Sequence, residues 1–110
     1  MNKKLADEIA YFENKPTTFI ATIGPLLTPL KVGAHEYVFM TGDPAEEVYF
    51  VKSGKLAVVL PQYMNFKFLM IKPGSYFGEI DILFYGEKRK YTIMTTKKCE
   101  FFVLSRKHFK

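Results

Sequence analysis

Cysteine is nearly absent: Cys99 stands alone in 110 residues. An internal disulfide is thereby excluded and a reducing compartment fits, with Cys99 itself read as a small buried apolar side chain. Histidine is almost as scarce. His35 lies in the turn Gly33-Ala34-His35-Glu36 and His108 near the other end, with no ligand-like spacing between them, so both read as surface residues and no metal site is expected. No Ser, Cys or His arrangement suits nucleophilic catalysis, and the chain reads as a non-enzyme. Long apolar runs are missing too. Nothing approaches the ~18 to 20 uninterrupted apolar residues of a membrane span, so this stretch belongs outside a bilayer. Met1-Asn2-Lys3-Lys4 leads to Asp7 and Glu8, not to an apolar run, and does not read as a secretory leader.

What is present describes one compact domain over residues 1–110, with 48% hydrophobic and 25% charged residues. The net charge of +5 is spread from Lys3 to Lys110, and its densest run is only Lys88-Arg89-Lys90. Nucleic-acid binders concentrate such charge on one face, so nucleic acid is not an expected partner.

Residues 1–27 read as helical. Leu5, Ile9 and Phe12 fall at helical spacing, Asn14-Lys15-Pro16 breaks the pattern, and Phe19, Ile20, Ile23 and Leu26-Leu27 resume it. Gly24-Pro25 interrupts this second helix and Pro29 marks the exit. Over residues 28–105 the pattern changes to short runs rich in β-branched and aromatic residues: Leu30 to Val32, Tyr37 to Met40, Val48 to Val51, Leu56 to Leu60, Phe66 to Ile71, Tyr91 to Thr95 and Phe101 to Leu104. Gly33, Gly42-Asp43-Pro44, Ser53-Gly54, Pro61 to Asn65 and Pro73-Gly74 supply the turns. The expected fold is therefore mainly β, an eight-strand jelly-roll-like sandwich, or double-stranded β-helix. One segment departs from the pattern: Glu79 to Phe84 follows a glycine and suits one or two helical turns.

The chemistry concentrates around that segment, in Gly74-Ser75-Tyr76-Phe77-Gly78-Glu79-Ile80-Asp81 and Arg89-Lys90. A glycine ahead of a short helix lets backbone N–H groups converge on an anion, and the helix dipole adds to the attraction. An arginine from the following strand offers a planar fork suited to phosphate oxygens. A carboxylate there would repel phosphate unless it accepts from a ligand hydroxyl, a task that suits Glu79. Glycine, acid and arginine together describe a site for a phosphate fused to a sugar. The plain alternative is that Glu79 and Arg89 form a structural ion pair at a sheet corner.

Phe77-Gly78-Glu79-Ile80 followed by Arg89 resembles the phosphate-binding cassette, residues 77–92, of the cyclic nucleotide-binding domain family. Upstream, Glu36 to Gly54 resembles that family's early strands, with a Gly42-Asp43 turn and a Tyr49-Phe50-Val51 strand ending at Gly54. Tyr76 to Glu79, Cys99-Glu100 and Leu104-Ser105 are most similar to the channel branch, that of cyclic nucleotide-gated, hyperpolarisation-activated and voltage-gated potassium-type channels.

The resemblance implies roles. Gly78, Ile80 and Asp81 would present backbone N–H groups to the cyclic phosphate of cAMP or cGMP. Glu79 would hold the ribose 2′-OH and Arg89 the phosphate, with Lys90 beside it where several channel relatives carry Thr. Val58, Leu60, Leu69, Ile71 and Phe77 would line the base pocket. Asp81, beside the anion, either caps the short helix or repels phosphate, and Tyr85 to Lys88 lengthens the loop before Arg89. Residues 106–110 would begin two C-terminal helices, the second closing over the base. The implied setting is the cytosolic face of a membrane, where the domain couples nucleotide binding to the gating of a tetrameric channel while the 110-residue piece itself stays monomeric. Two other readings stand beside it, a ligand-free homologous domain of a potassium channel and a kinase-regulatory module. A metal-dependent cupin, of similar architecture, would need clustered His and Glu ligands that the sequence does not supply.

Overall fold

Val48-Tyr49-Phe50-Val51 has no polar face, so it needs cover on both sides, and it lies at the centre of the molecule. In a computed structural model of the chain, which describes residues 21–78 and 88–108, these residues belong to β3 (Glu47–Ser53), buried from Val48 to Val51. The other strands are β1 (Leu27–Val32), β2 (Tyr37–Phe39), β4 (Leu56–Leu60), β5 (Phe66–Ile71), β6 (Tyr76–Phe77), β7 (Thr92–Thr95) and β8 (Cys99–Ser105). They form two four-stranded sheets, ordered β1-β8-β3-β6 and β2-β7-β4-β5. Every pairing is antiparallel. The expected β-sandwich is the observed one.

The core lies between the sheets. Phe39, Tyr49, Val51, Leu56, Phe77, Ile93, Cys99 and Phe101 form one buried cluster. Its centre is aromatic: Tyr49 stacks on Phe77 with centroids 5.1 Å apart, and Phe101 meets both edge-on. Such pairs add ~0.5 to 1.5 kcal/mol each beyond the area they bury.

The largest differences from the sequence expectation fall at two strands. β1 starts at Leu27 and runs through Pro29, where an exit was expected. Pro29 lacks an N–H, but β1 is an edge strand whose single neighbour is β8, so the missing donor breaks no central ladder. Pro25 instead sits in the 3-10 turn Gly24–Leu26, which the Leu27 N–H closes on the Gly24 carbonyl. β6 is the other, a two-residue strand that pairs with Tyr49 and Phe50. The expected helices before residue 21 and the expected helix over Glu79 to Phe84 lie outside the described residues. Arg106–His108 forms a 3-10 turn.

Candidate functional site

Arg89 has one of the largest fully buried side chains, with 1% of its surface exposed. Its backbone is fixed first. Asp43 closes a turn on Met40, accepting the Met40 N–H at Oδ2 (2.9 Å) and donating its own N–H to the Met40 carbonyl (2.9 Å). The same turn grips Arg89: the Arg89 N–H donates to the Asp43 carbonyl (2.8 Å) and the Gly42 N–H to the Arg89 carbonyl (2.9 Å). The Gly42-Asp43 motif therefore places the arginine.

The guanidinium then runs inward. Nη1 donates to the Gly78 carbonyl at 2.8 Å and Nη2 to the Glu47 carbonyl at 2.7 Å, while the Phe39 ring lies with its centroid 4.1 Å from the guanidinium carbon. A buried cation is tolerable only with such partners. Gly78 makes room for it. At φ +97° the residue sits where side chains are rarely accommodated, and a Cβ would come 2.9 Å from the Glu47 oxygen and 3.0 Å from Arg89 Nη1.

Phe77, the residue before Gly78, lines a cavity of about 580 Å³, within the range of small-molecule sites. Val58, Leu69, Ile71 and Phe77 line it, four of the five residues expected at a base pocket. Leu60, the fifth, is half-buried and does not line it. Lys72, Ser75, Tyr76 and Tyr91 do, and sequence reasoning missed them. They converge because the two-residue β6 folds the Lys72 to Ser75 turn back beside β3, a pairing too short to announce itself as an alternating pattern. Lys90, next to the arginine, is exposed. Glu79, Ile80 and Asp81 lie outside the described residues.

Two buried groups, Tyr49 and Cys99, have shifted acidities. Burial and the neighbouring Glu47 carboxylate push the Tyr49 hydroxyl well above the usual phenol range, and it donates to Glu47 Oε1 at 2.9 Å. Burial also raises the Cys99 thiol, which stays protonated and unreactive. Among the described residues, no three His, Cys, Asp or Glu side chains cluster to hold a metal ion.

The family model described as the cyclic nucleotide-binding domain matches residues 29–110. The chain belongs to that family. It is 35% identical over 85 residues to the cyclic nucleotide-gated channel cone photoreceptor subunit alpha of Gallus gallus, covering 73% of this chain and 11% of that protein. It is 34% identical over 85 residues to the Homo sapiens cyclic nucleotide-gated channel alpha-3, of which it spans 12%. These relatives are thus several times longer, and the domain is one part of each. Among solved structures, a regulatory subunit of a cAMP-independent protein kinase A from Trypanosoma brucei aligns with a TM-score of 0.81 at 16% identity, over 94% of this chain and 37% of that one. The regulatory domain of Toxoplasma gondii PKA with cAMP aligns at 0.75 and 24%, over 89% and 38%. The fold is shared between a protein titled as cAMP-independent and one bound to cAMP, so fold alone does not assign a ligand.

Proposed function

We propose that this domain binds a cyclic nucleotide and relays its binding to the rest of an ion channel. One observation carries the reading: a buried arginine fork held at the carbonyl of Gly78, the residue that follows Phe77 in the lining of an apolar cavity of about 580 Å³. The cyclic phosphate sits against Gly78 and Arg89, joined by the backbone of Ile80 and Asp81 and flanked by Lys90. Glu79 accepts from the ribose 2′-OH, and the base lies on Val58, Leu69, Ile71 and Phe77.

Transmission follows from where Arg89 is anchored. Its Nη2 holds the Glu47 carbonyl at the start of β3, and its Nη1 holds Gly78. A phosphate competes with both carbonyls for the same fork, so binding alters what β3 and the cassette share. The ligand biases a conformational equilibrium only through such a difference between two states. The parent is a tetrameric channel with this domain on the cytosolic face of its membrane, and the 110-residue piece alone is a monomer.

A ligand-free domain is the second reading, favoured by the burial of Arg89 and the engagement of its fork by two main-chain carbonyls. Calorimetric titration with cAMP and cGMP decides between the two. Micromolar to millimolar binding is expected, weakened roughly ten- to hundredfold in Arg89→Ala by loss of a charge-assisted contact of ~1.5 to 3 kcal/mol. Arg89→Lys, which keeps the charge without the fork, should recover only part of that affinity. Absence of binding to either nucleotide at millimolar concentration overturns the sensor reading and leaves the ligand-free one.

A further inference from the structure

The cavity lined by Phe77 has an uneven electrostatic wall. From Val48 to Gly78 the chain carries Lys52, Lys55, Lys67 and Lys72 and not one Asp or Glu. Of these lysines only Lys72 lines the cavity, and among the described residues no carboxylate does. Lys52 is engaged elsewhere, with its Nζ 3.5 Å from Glu100 Oε1. Among the described residues, Lys72 makes no ion pair.

The backbone of Lys72 is tied down although its side chain is exposed. Its carbonyl accepts the Ser75 N–H (3.1 Å), and the turn is clamped to β3 by Gly74 N–H donating to the Val51 carbonyl (2.8 Å) and Val51 N–H donating to the Ser75 carbonyl (2.9 Å). Lys72 thus has a fixed backbone at the cavity it lines, and its flexible stem lets the ammonium reach the rim. The remaining polar side chains there, Ser75, Tyr76 and Tyr91, are hydroxyls, which donate or accept as required and so discriminate little.

We propose that Lys72 makes this site read a 6-oxopurine, so that the domain prefers cGMP to cAMP. The proposal rests on the cavity being the base pocket of the function proposed above. Guanine presents O6 and N7, two adjacent acceptors, on one edge, whereas adenine presents N7 beside the N6 amine, a donor. A lysine has only donors. Against guanine its ammonium finds two acceptors, and against adenine only one, N7, with a competing donor beside it. Among the described residues no carboxylate stands on this wall, so none there accepts from the adenine amine with the strength of a charged partner.

The test is calorimetry on the chain with cGMP, cAMP and inosine 3′,5′-cyclic monophosphate, which keeps O6 and N7 but lacks the guanine 2-amino group. cGMP and the inosine nucleotide should bind alike, both about tenfold tighter than cAMP. Lys72→Ala should erase that difference by weakening the two oxopurines and leaving cAMP nearly unchanged. Lys72→Arg should retain it, and Lys72→Glu should weaken the oxopurines further. The side chain is exposed, so these variants should keep the wild-type unfolding midpoint. Wild-type binding of cAMP as tight as cGMP overturns the proposal while leaving nucleotide binding intact. Equal weakening of all three ligands in Lys72→Ala also overturns it, by assigning Lys72 to the phosphate. An inosine nucleotide that behaves like cAMP shows that the 2-amino group is read instead, which again removes Lys72 from the role. Failure of all three to bind sinks the parent reading and this one with it.

Discussion

Gly78 and Arg89 constrain each other at the scale of single atoms. The guanidinium can reach the Gly78 carbonyl because no side chain projects from Gly78, and the positive φ that turns this carbonyl toward it is one glycine tolerates readily. Gly78→Ala should therefore act twice. It strains the backbone and drives a methyl toward the Glu47 oxygen and Arg89 Nη1, for a loss of ~1 to 3 kcal/mol in urea denaturation. It should also displace the fork and weaken nucleotide binding. An unchanged unfolding midpoint would mean that the approach seen here is not a constraint on the fold. Arg89 cannot be treated as a pure ligand contact for the same reason. Removing its side chain strips donors from two main-chain carbonyls, so Arg89→Ala must be compared with wild type for folding before its affinity is read.

Most strands were legible as elements because their residues alternate or cluster in ways only a sheet satisfies. Leu56 to Leu60 and Phe66 to Ile71 match the observed β4 and β5 residue for residue. β1 was legible only in part, since Pro29 reads as a breaker unless the strand is known to lie at an edge. β6 was not legible at all, because two residues carry no period and the strand exists only through pairing with Tyr49 and Phe50. The site divides along the same line. Gly78, Arg89, Val58 and Leu69 were visible through motif and resemblance, whereas Lys72, Tyr76 and Tyr91 reach the cavity by tertiary pairing that no local pattern records. The Gly42-Asp43 turn is the intermediate case: its turn chemistry is plain in the sequence, but its grip on Arg89 is long-range. Asp43→Ala removes the Met40 N–H acceptor and should destabilise the domain by ~0.5 to 1.5 kcal/mol. If the turn also places the arginine, binding should weaken beyond what the stability change explains. Asp43→Asn, which keeps an acceptor oxygen, should restore much of both. A variant that loses stability but keeps full affinity would limit the turn to a scaffolding role.

At the scale of the whole molecule, the two sheets differ in how directly they meet the proposed ligand. β4, β5 and β6 contribute the cavity wall, and β3 begins at the carbonyl that the arginine holds. β1 lines no part of this cavity, and its register with β8 runs from Leu27–Leu104 to Val32–Cys99. A ligand that competes for Arg89 must therefore change protection unevenly. Hydrogen exchange with and without saturating nucleotide should show slowed amides in peptides spanning Met40–Asp43, Lys72–Gly78 and Arg89–Thr92. Thr28–Val32 should exchange at nearly its unliganded rate. Binding also stabilises the fold by mass action, about 2.7 kcal/mol at a hundredfold excess over Kd, and that gain should slow only amides that exchange through global unfolding. The regional pattern thus separates a local relay from mere stabilisation. Equal slowing in β1 and in the cavity wall would mean that the domain responds as one rigid unit, and the proposed route from Arg89 through the Glu47 carbonyl to β3 would lose its support.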